Sequence, residues 1–175
     1  MRTLEHRRHS RRDPGALRLN ARGRVLARGV GAELPRFDRV VTSPKPRAVE
    51  TAEAMGRTVD TRLAALGEMP EEIGRAVDAF GARTFADYLA LVERNEEVAG
   101  YAADQSALWR AELERVPDGG NLLLISHGGL IKLGAVSALG ETARNWGPPL
   151  GYVEGVRLTA VDRQWSAGQV IRVRA

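Results

Sequence analysis

The sequence predicts an α/β fold, a three-layer sandwich in which helices flank a mostly parallel central sheet. Short apolar or β-branched runs, Arg39-Val40-Val41-Thr42 and Leu122-Leu123-Leu124-Ile125-Ser126 above all, alternate with longer Ala-, Glu- and Leu-rich stretches of helical period. Each of these runs stops where a helix can begin, at Ser43-Pro44 before Pro46 and at His127 before Gly128-Gly129. At 175 residues and 43% hydrophobic content the chain fills one domain, residues 1–175, and leaves too little for two.

Residues Arg2 to Arg8 form a first strand, more polar than a buried parallel strand because of Glu5, His6 and Arg7. Such polarity suits a sheet edge or a strand covered by a partner. Asn20 is a good N-cap for a helix from Ala21 to the Gly29/Gly31 region, with Val25, Leu26 and Val30 as its apolar stripe. Arg39 to Thr42 is the second strand, and Pro46 opens the next helix. Thr58 to Leu66 holds a further short strand leading into an acidic loop, Glu68 to Glu72. From Thr84 to Val116 the pattern is helical, with Gly100 dividing two helices. Pro117 to Gly120 is a turn before the buried strand Asn121 to Ser126, and Leu130 to Leu139 is a helix. From Gly151 the alternation fits a terminal hairpin turning near Asp162-Arg163.

Composition narrows the function classes. No apolar run approaches the roughly 20 residues a membrane helix needs, and arginines crowd the first dozen positions where a secretory segment would be apolar. A cytoplasmic protein that engages no membrane is expected. Cysteine is absent, which excludes disulfides, thiolate metal sites and a cysteine nucleophile, and no metal or cofactor is expected. The net charge of +4 and pI of about 10.1 come almost entirely from arginine, since Lys45 and Lys132 are the only lysines. The N-terminal arginines lack interleaved aromatics and any nucleic-acid motif, so nucleic acid is not the expected partner.

Three segments place anion-binding chemistry where a strand hands over to a helix: Arg8-His9-Ser10, Thr42 to Ala52, and Leu122 to Leu130. In parallel sheets ligands bind beyond the carboxyl ends of the strands, and a helix N-terminus offers free N–H groups to an anion. Of the three histidines, His6, His9 and His127, two fall in these segments beside arginine or glycine. Arginine grips phosphate bidentately, and a neutral imidazole can accept a phosphoryl group covalently. His6 has no such context and reads as a strand or surface residue. Lys45 reads as a rim charge.

Taken in order, these segments resemble the histidine phosphatase superfamily. The resemblance rests on Arg8-His9-Ser10, Leu19-Asn20-Ala21-Arg22-Gly23, Ser43-Pro44-Lys45-Pro46-Arg47-Ala48-Val49-Glu50-Thr51-Ala52, Leu66-Gly67-Glu68 and Ser126-His127-Gly128-Gly129, and runs along nearly the whole chain. It implies a phosphoglycerate mutase-like fold and a metal-independent phosphomonoester hydrolase. His9 would take the phosphoryl group, Arg8 and Arg47 would clamp its oxygens, and His127 would donate to them. Ser10 and the backbone at Gly128 would also hold phosphate. Glu68, or failing it Glu72, would be the acid and then the base, with its pKa raised by burial. Helices within about 68–118 would cap the site, and Arg11, Arg12 and Trp146 would form its rim.

Ser10 departs from the glycine usual after the nucleophile, and Arg11 stands where an acidic residue is common. The implied substrate is a small phosphorylated molecule or a phosphoprotein. A phosphohistidine-protein phosphatase and a non-catalytic phospholigand-binding member of the fold are the alternatives, and the short chain favours hydrolysis over mutase activity.

Overall fold

The computed structural model describes residues 1–173. Within them the order is β1 (Arg2–Arg8), α1 (Ala21–Glu33), β2 (Arg39–Thr42), α2 (Pro46–Ala54), β3 (Thr61–Arg62), α3 (Glu71–Phe80), α4 (Phe85–Arg94), α5 (Glu96–Leu113), β4 (Asn121–Ser126), α6 (Gly128–Leu139), β5 (Gly155–Val161) and β6 (Gln164–Ile171). Short 3-10 turns follow β3 and α6. The strands form one sheet in the order β3-β2-β4-β1-β5-β6. β3, β2, β4 and β1 run parallel, and β5 and β6 add an antiparallel hairpin. None of the helices among the described residues is long and apolar enough to cross a membrane.

Side-chain alternation sorts the core into two layers. Leu123 and Ile125 of β4 join Val40, Ala27, Ala48, Ala52 and Met55 beneath α1 and α2. Leu122 and Leu124 face the other way and pack with Leu4, Val41, Trp109, Leu133 and Val136 under α4, α5 and α6. β4 is therefore apolar on both faces, as a central parallel strand must be.

β1 is not at an edge. It lies between β4 and β5, and its polar residues are buried because each has a partner. On the α1 face Glu5 holds Arg7, with Oε2 accepting from Nε at 2.9 Å, and also pairs with Arg157 of β5. On the opposite face the His6 Nε2 lies 2.6 Å from Ser126 Oγ, and its ring stands edge-on to Trp109 at 4.6 Å. His6 is thus a core residue and not a surface one.

Two further expectations change. Gly100 does not divide the helical stretch: α5 runs unbroken through it, and the break falls at Asn95, whose side chain caps α5. The expected acidic loop is shorter, because Glu71 and Glu72 already form the first turn of α3, where their charge suits the helix dipole.

Candidate active site

β1, β2 and β4 are parallel neighbours, so their carboxyl ends open on the same edge of the sheet. Backbone bonds stitch the loops that follow: His9 N–H donates to Ser126 O and Ser43 N–H to Ile125 O, each at 2.9 Å. His9, Ser43 and His127 are thereby brought together from three distant parts of the chain. The imidazoles of His9 and His127 lie 5.3 Å apart, edge to face.

His9 is held in one tautomer. Its Nδ1 lies 2.7 Å from the carbonyl of Ser10 and must donate to it, which leaves Nε2 with a lone pair. Burial pushes its pKa down to about 4 against the pull of the Ser10 carbonyl, and the guanidiniums of Arg47, Arg8 and Arg12 add to the depression. The imidazole is neutral at ordinary pH.

The Ser10 hydroxyl, expected to hold phosphate, is turned away from the cleft. Ser10 is fully buried, its Oγ donates to Gly23 O at 2.7 Å, and its N–H donates to Thr51 Oγ1 at 2.9 Å. The side chain points into α1 because the loop passes tightly over that helix, where a Cβ at Gly23 would meet the backbone of Arg11. Asn20 caps α1 at the same place, accepting from Gly23 N–H at 2.8 Å. Thr51 Oγ1 also donates to Arg47 O at 2.6 Å, so one hydroxyl ties the first and second phosphate segments together.

His127 stands at the N-terminus of α6, with Ser43 Oγ 3.0 Å from Nε2 and Arg47 Nη2 3.4 Å from Nδ1. Arginine can only donate, so Nδ1 accepts and Nε2 carries the proton. Burial, then Arg47, His9, Lys45 and Arg8, pushes the His127 pKa down to about 3. Arg8 reaches the same space from β1, its Nη1 donating to Leu150 O at 2.6 Å. Burial lowers the pKa of both Arg8 and Arg47, and Arg47 Nε is buried without a partner.

Glu68 is exposed and not buried. Its carboxylate pairs with Lys45, and that ion pair, with Arg47 behind it, holds its pKa below the usual carboxylate range. This is the reverse of the burial-raised acid expected from the sequence, and the cause is the lysine in the Ser-Pro turn. Glu72 is exposed on α3. Met69, next to Glu68, packs against Gly129 at the start of α6, so the 68–70 loop bounds the site on this side.

The expected rim holds only in part. Arg12 is half-buried and donates to Ala16 O, while Arg11 is exposed with its guanidinium 5.7 Å from the Tyr152 ring. Trp146 is not at the rim, because it packs edge-on to Phe85 at 5.1 Å within the apolar layer.

Two site residues were not anticipated. Tyr152 places its ring 6.0 Å from His9 and under the Arg8 guanidinium at 4.4 Å. Lys132, one helical turn beyond Gly128, lines the cleft of about 390 Å³ that also contains Arg8, His9, His127, Gly128 and Leu150. Its rarity among so many arginines was the signal available in the sequence. A larger depression of about 570 Å³ lies between α1 and residues 171–173, but its lining contains neither site histidine.

The strap from Trp146 to Glu154 secures Arg8. Arg8 N–H donates to Glu154 O at 2.8 Å, Val153 N–H donates to Arg8 O at 3.1 Å, and Arg7 Nη1 donates to Val153 O at 2.9 Å. Val153 takes a left-handed backbone at φ 56°, a strained conformation for a β-branched residue that these bonds enforce. Arg172 fastens the strap from outside, donating to Glu154 Oε2 and to the carbonyls of Trp146, Pro148 and Pro149.

Comparisons with known proteins agree with this layout. No curated protein matches the sequence. Among solved structures, a phosphoserine phosphatase from Entamoeba histolytica, in complex with 3-phosphoglyceric acid, shares 16% identity over 99% of this chain and 98% of its own, with a TM-score of 0.73. A phosphoglycerate mutase from Bacillus anthracis shares 17% over 94% and 90%, with a TM-score of 0.68. YhfR of Bacillus stearothermophilus shares 21% over 95% of both, at 0.68. These likenesses establish the phosphoglycerate mutase-like fold. The family model of the histidine phosphatase superfamily, branch 1, matches residues 2–170, and the chain belongs to that superfamily, whose phosphatase-type chemistry runs through a histidine.

Proposed function

We propose that the protein hydrolyses phosphomonoesters through a covalent phosphohistidine on His9, without a metal. The observation that carries this reading is the fixed tautomer of His9: Nδ1 is committed to Ser10 O, and the free lone pair of Nε2 belongs to a neutral ring lining the cleft. In the first step Nε2 attacks phosphorus, the ester P–O bond breaks, and the leaving oxygen takes a proton from Glu68. In the second, Glu68 takes a proton from water, the new hydroxide attacks phosphorus, and the P–N bond breaks to release inorganic phosphate.

Arg8 and Arg47, with the N–H groups at the start of α6, hold the phosphoryl oxygens. Arg8, Arg47 and Lys45 supply positive charge for this purpose. An arriving dianion competes with Glu68 for Lys45 and with His127 for Arg47. Freed from Lys45 and set beside a dianion, Glu68 gains a proton more readily, and His127 becomes a donor by the same effect. Ser10, one of the residues that motivate a non-catalytic phospholigand-binding reading, points into α1, which leaves that reading resting on the absence of the polar residues usual in this loop.

The test is hydrolysis of an aryl phosphate by wild type and His9→Ala. Wild type turns over, vanadate inhibits, EDTA does not, and kcat falls at least about a thousandfold in the variant. Retained turnover in His9→Ala, or loss with EDTA that Mg²⁺ or Zn²⁺ restores, overturns it.

A further inference from the structure

We propose that the cavity of about 570 Å³ between α1 and residues 171–173 is a second ligand site, one that takes an amphipathic monoanion, a carboxylate on a hydrocarbon body. It shares no lining residue with the cleft at His9 and needs no chemistry there.

Charge gives the first reason. The guanidiniums of Arg7, Arg157 and Arg172 all line the cavity. Two carboxylates balance them, Glu5 between Arg7 and Arg157 and Glu154 against Arg172, and neither belongs to the lining. Three cations against two anions leave the wall positive by one. Among the described residues Glu33 is the one carboxylate of the lining, and it ends α1 exposed, where water and salt screen it.

One arginine has donors to spare. Arg7 commits Nε and Nη2 to Glu5 and Nη1 to Val153 O, and Arg172 spends both terminal nitrogens on Glu154 and the strap carbonyls. Arg157 turns Nε and Nη2 to Glu5 Oε1, while its Nη1 has no partner among the described residues. A cationic N–H donor on a partly apolar wall is best met by a carboxylate oxygen.

Shape gives the rest. Val25, Leu26, Val30 and Leu34 of α1 form one wall, with Ile171 and Val173 also in the lining. Val25 is 69% exposed, an unusual place for a large apolar side chain facing a cavity. Gly29 lines the same space one turn beyond Val25, and an added Cβ there would meet nothing within 4 Å. Glycine inside a helix lowers stability relative to alanine, and no close contact demands it here; what it does is keep the cavity open. Apolar walls with one spare positive charge match a hydrocarbon chain ending in a single carboxylate. A free phosphate would leave those walls against water.

Calorimetry on the full chain tests the site with octanoate, octanol and acetate. Octanoate should bind at least about tenfold more tightly than either of the others, since each lacks one half of the match. Gly29→Leu fills the cavity from a position that gains helix propensity, so the fold is kept and octanoate affinity falls at least about tenfold. Arg157→Met keeps an apolar stem and removes the donors, and the preference for octanoate over octanol shrinks to within about twofold.

Absence of octanoate binding overturns the site, as do equal affinities for octanoate and octanol in wild type. Binding that survives Gly29→Leu overturns it too, and so does binding that is lost in Arg47→Met, which would put octanoate in the cleft at His9. Should Arg157→Met fail to fold, Gly29→Leu decides alone.

Discussion

Thr51 shows how far single residues were legible. The sequence placed it in the second anion-binding segment, but its work is internal: one hydroxyl accepts from Ser10 N–H and donates to Arg47 O, linking the loop after His9 to the helix of Arg47. Thr51→Val keeps the shape and strands a buried N–H, so unfolding in urea should show a loss of about 1–3 kcal/mol at unchanged slope. A loss below about 0.5 kcal/mol would mean that the bond is not made. Arg8, His9, Arg47 and His127 drew attention in the sequence because histidine is scarce and all four stand at or beside strand-to-helix turns, and the structure brings them close together. Ser10 and Glu68 could not be placed, since the direction of a side chain and its choice of ion-pair partner are set by packing. Lys45, read from the sequence as a rim charge, pairs with Glu68 and lowers its pKa.

At the level of elements, the parallel strands and the helices after them followed from apolar runs with turn chemistry at their ends. The polarity of β1 suggested an edge or a strand covered by a partner, and the structure shows neither, because the groups that neutralise it lie in β4 and β5 of the same chain. Glu5 is 1% and Arg7 4% exposed, and Glu5 is the carboxylate on which both Arg7 and Arg157 rely. Glu5→Gln leaves Arg7 buried without its charge partner, and its stability in denaturant should fall by about 3 kcal/mol. A near-neutral outcome would show β1 to be more hydrated than its burial indicates. α3 was missed because its start, Glu71-Glu72, reads equally well as a solvated loop.

Across the whole molecule, the three histidines set the response to acid. Their folded pKa values lie at about 3 for His6, 4 for His9 and 3 for His127, against an ordinary 6.5. Between those limits the unfolded chain binds the protons and the folded one does not. Stability is therefore full above about pH 6.5 and falls with acidity by about 1.4 kcal/mol per pH unit for each histidine, or about 4 for all three. The depressed carboxylates Glu50 and Glu154 act only below their ordinary 4.5, so the two windows are separable. Denaturant unfolding between pH 7 and 5 checks this, and a flat profile would refute it. The strap that locks Arg8 also dictates a timetable. Glu5 meets Arg157 across 152 positions, and Arg7 meets Val153 across 146. On the ribosome, N-terminal segments emerge seconds before these partners exist. β1 must wait, without Arg157 and the Val153 carbonyl, while the chain through β5 is made, and the cleft beside His9 is among the last features to assemble. Slow, late-forming contacts of this range make the nascent protein most exposed to aggregation and proteolysis just before its chemistry begins.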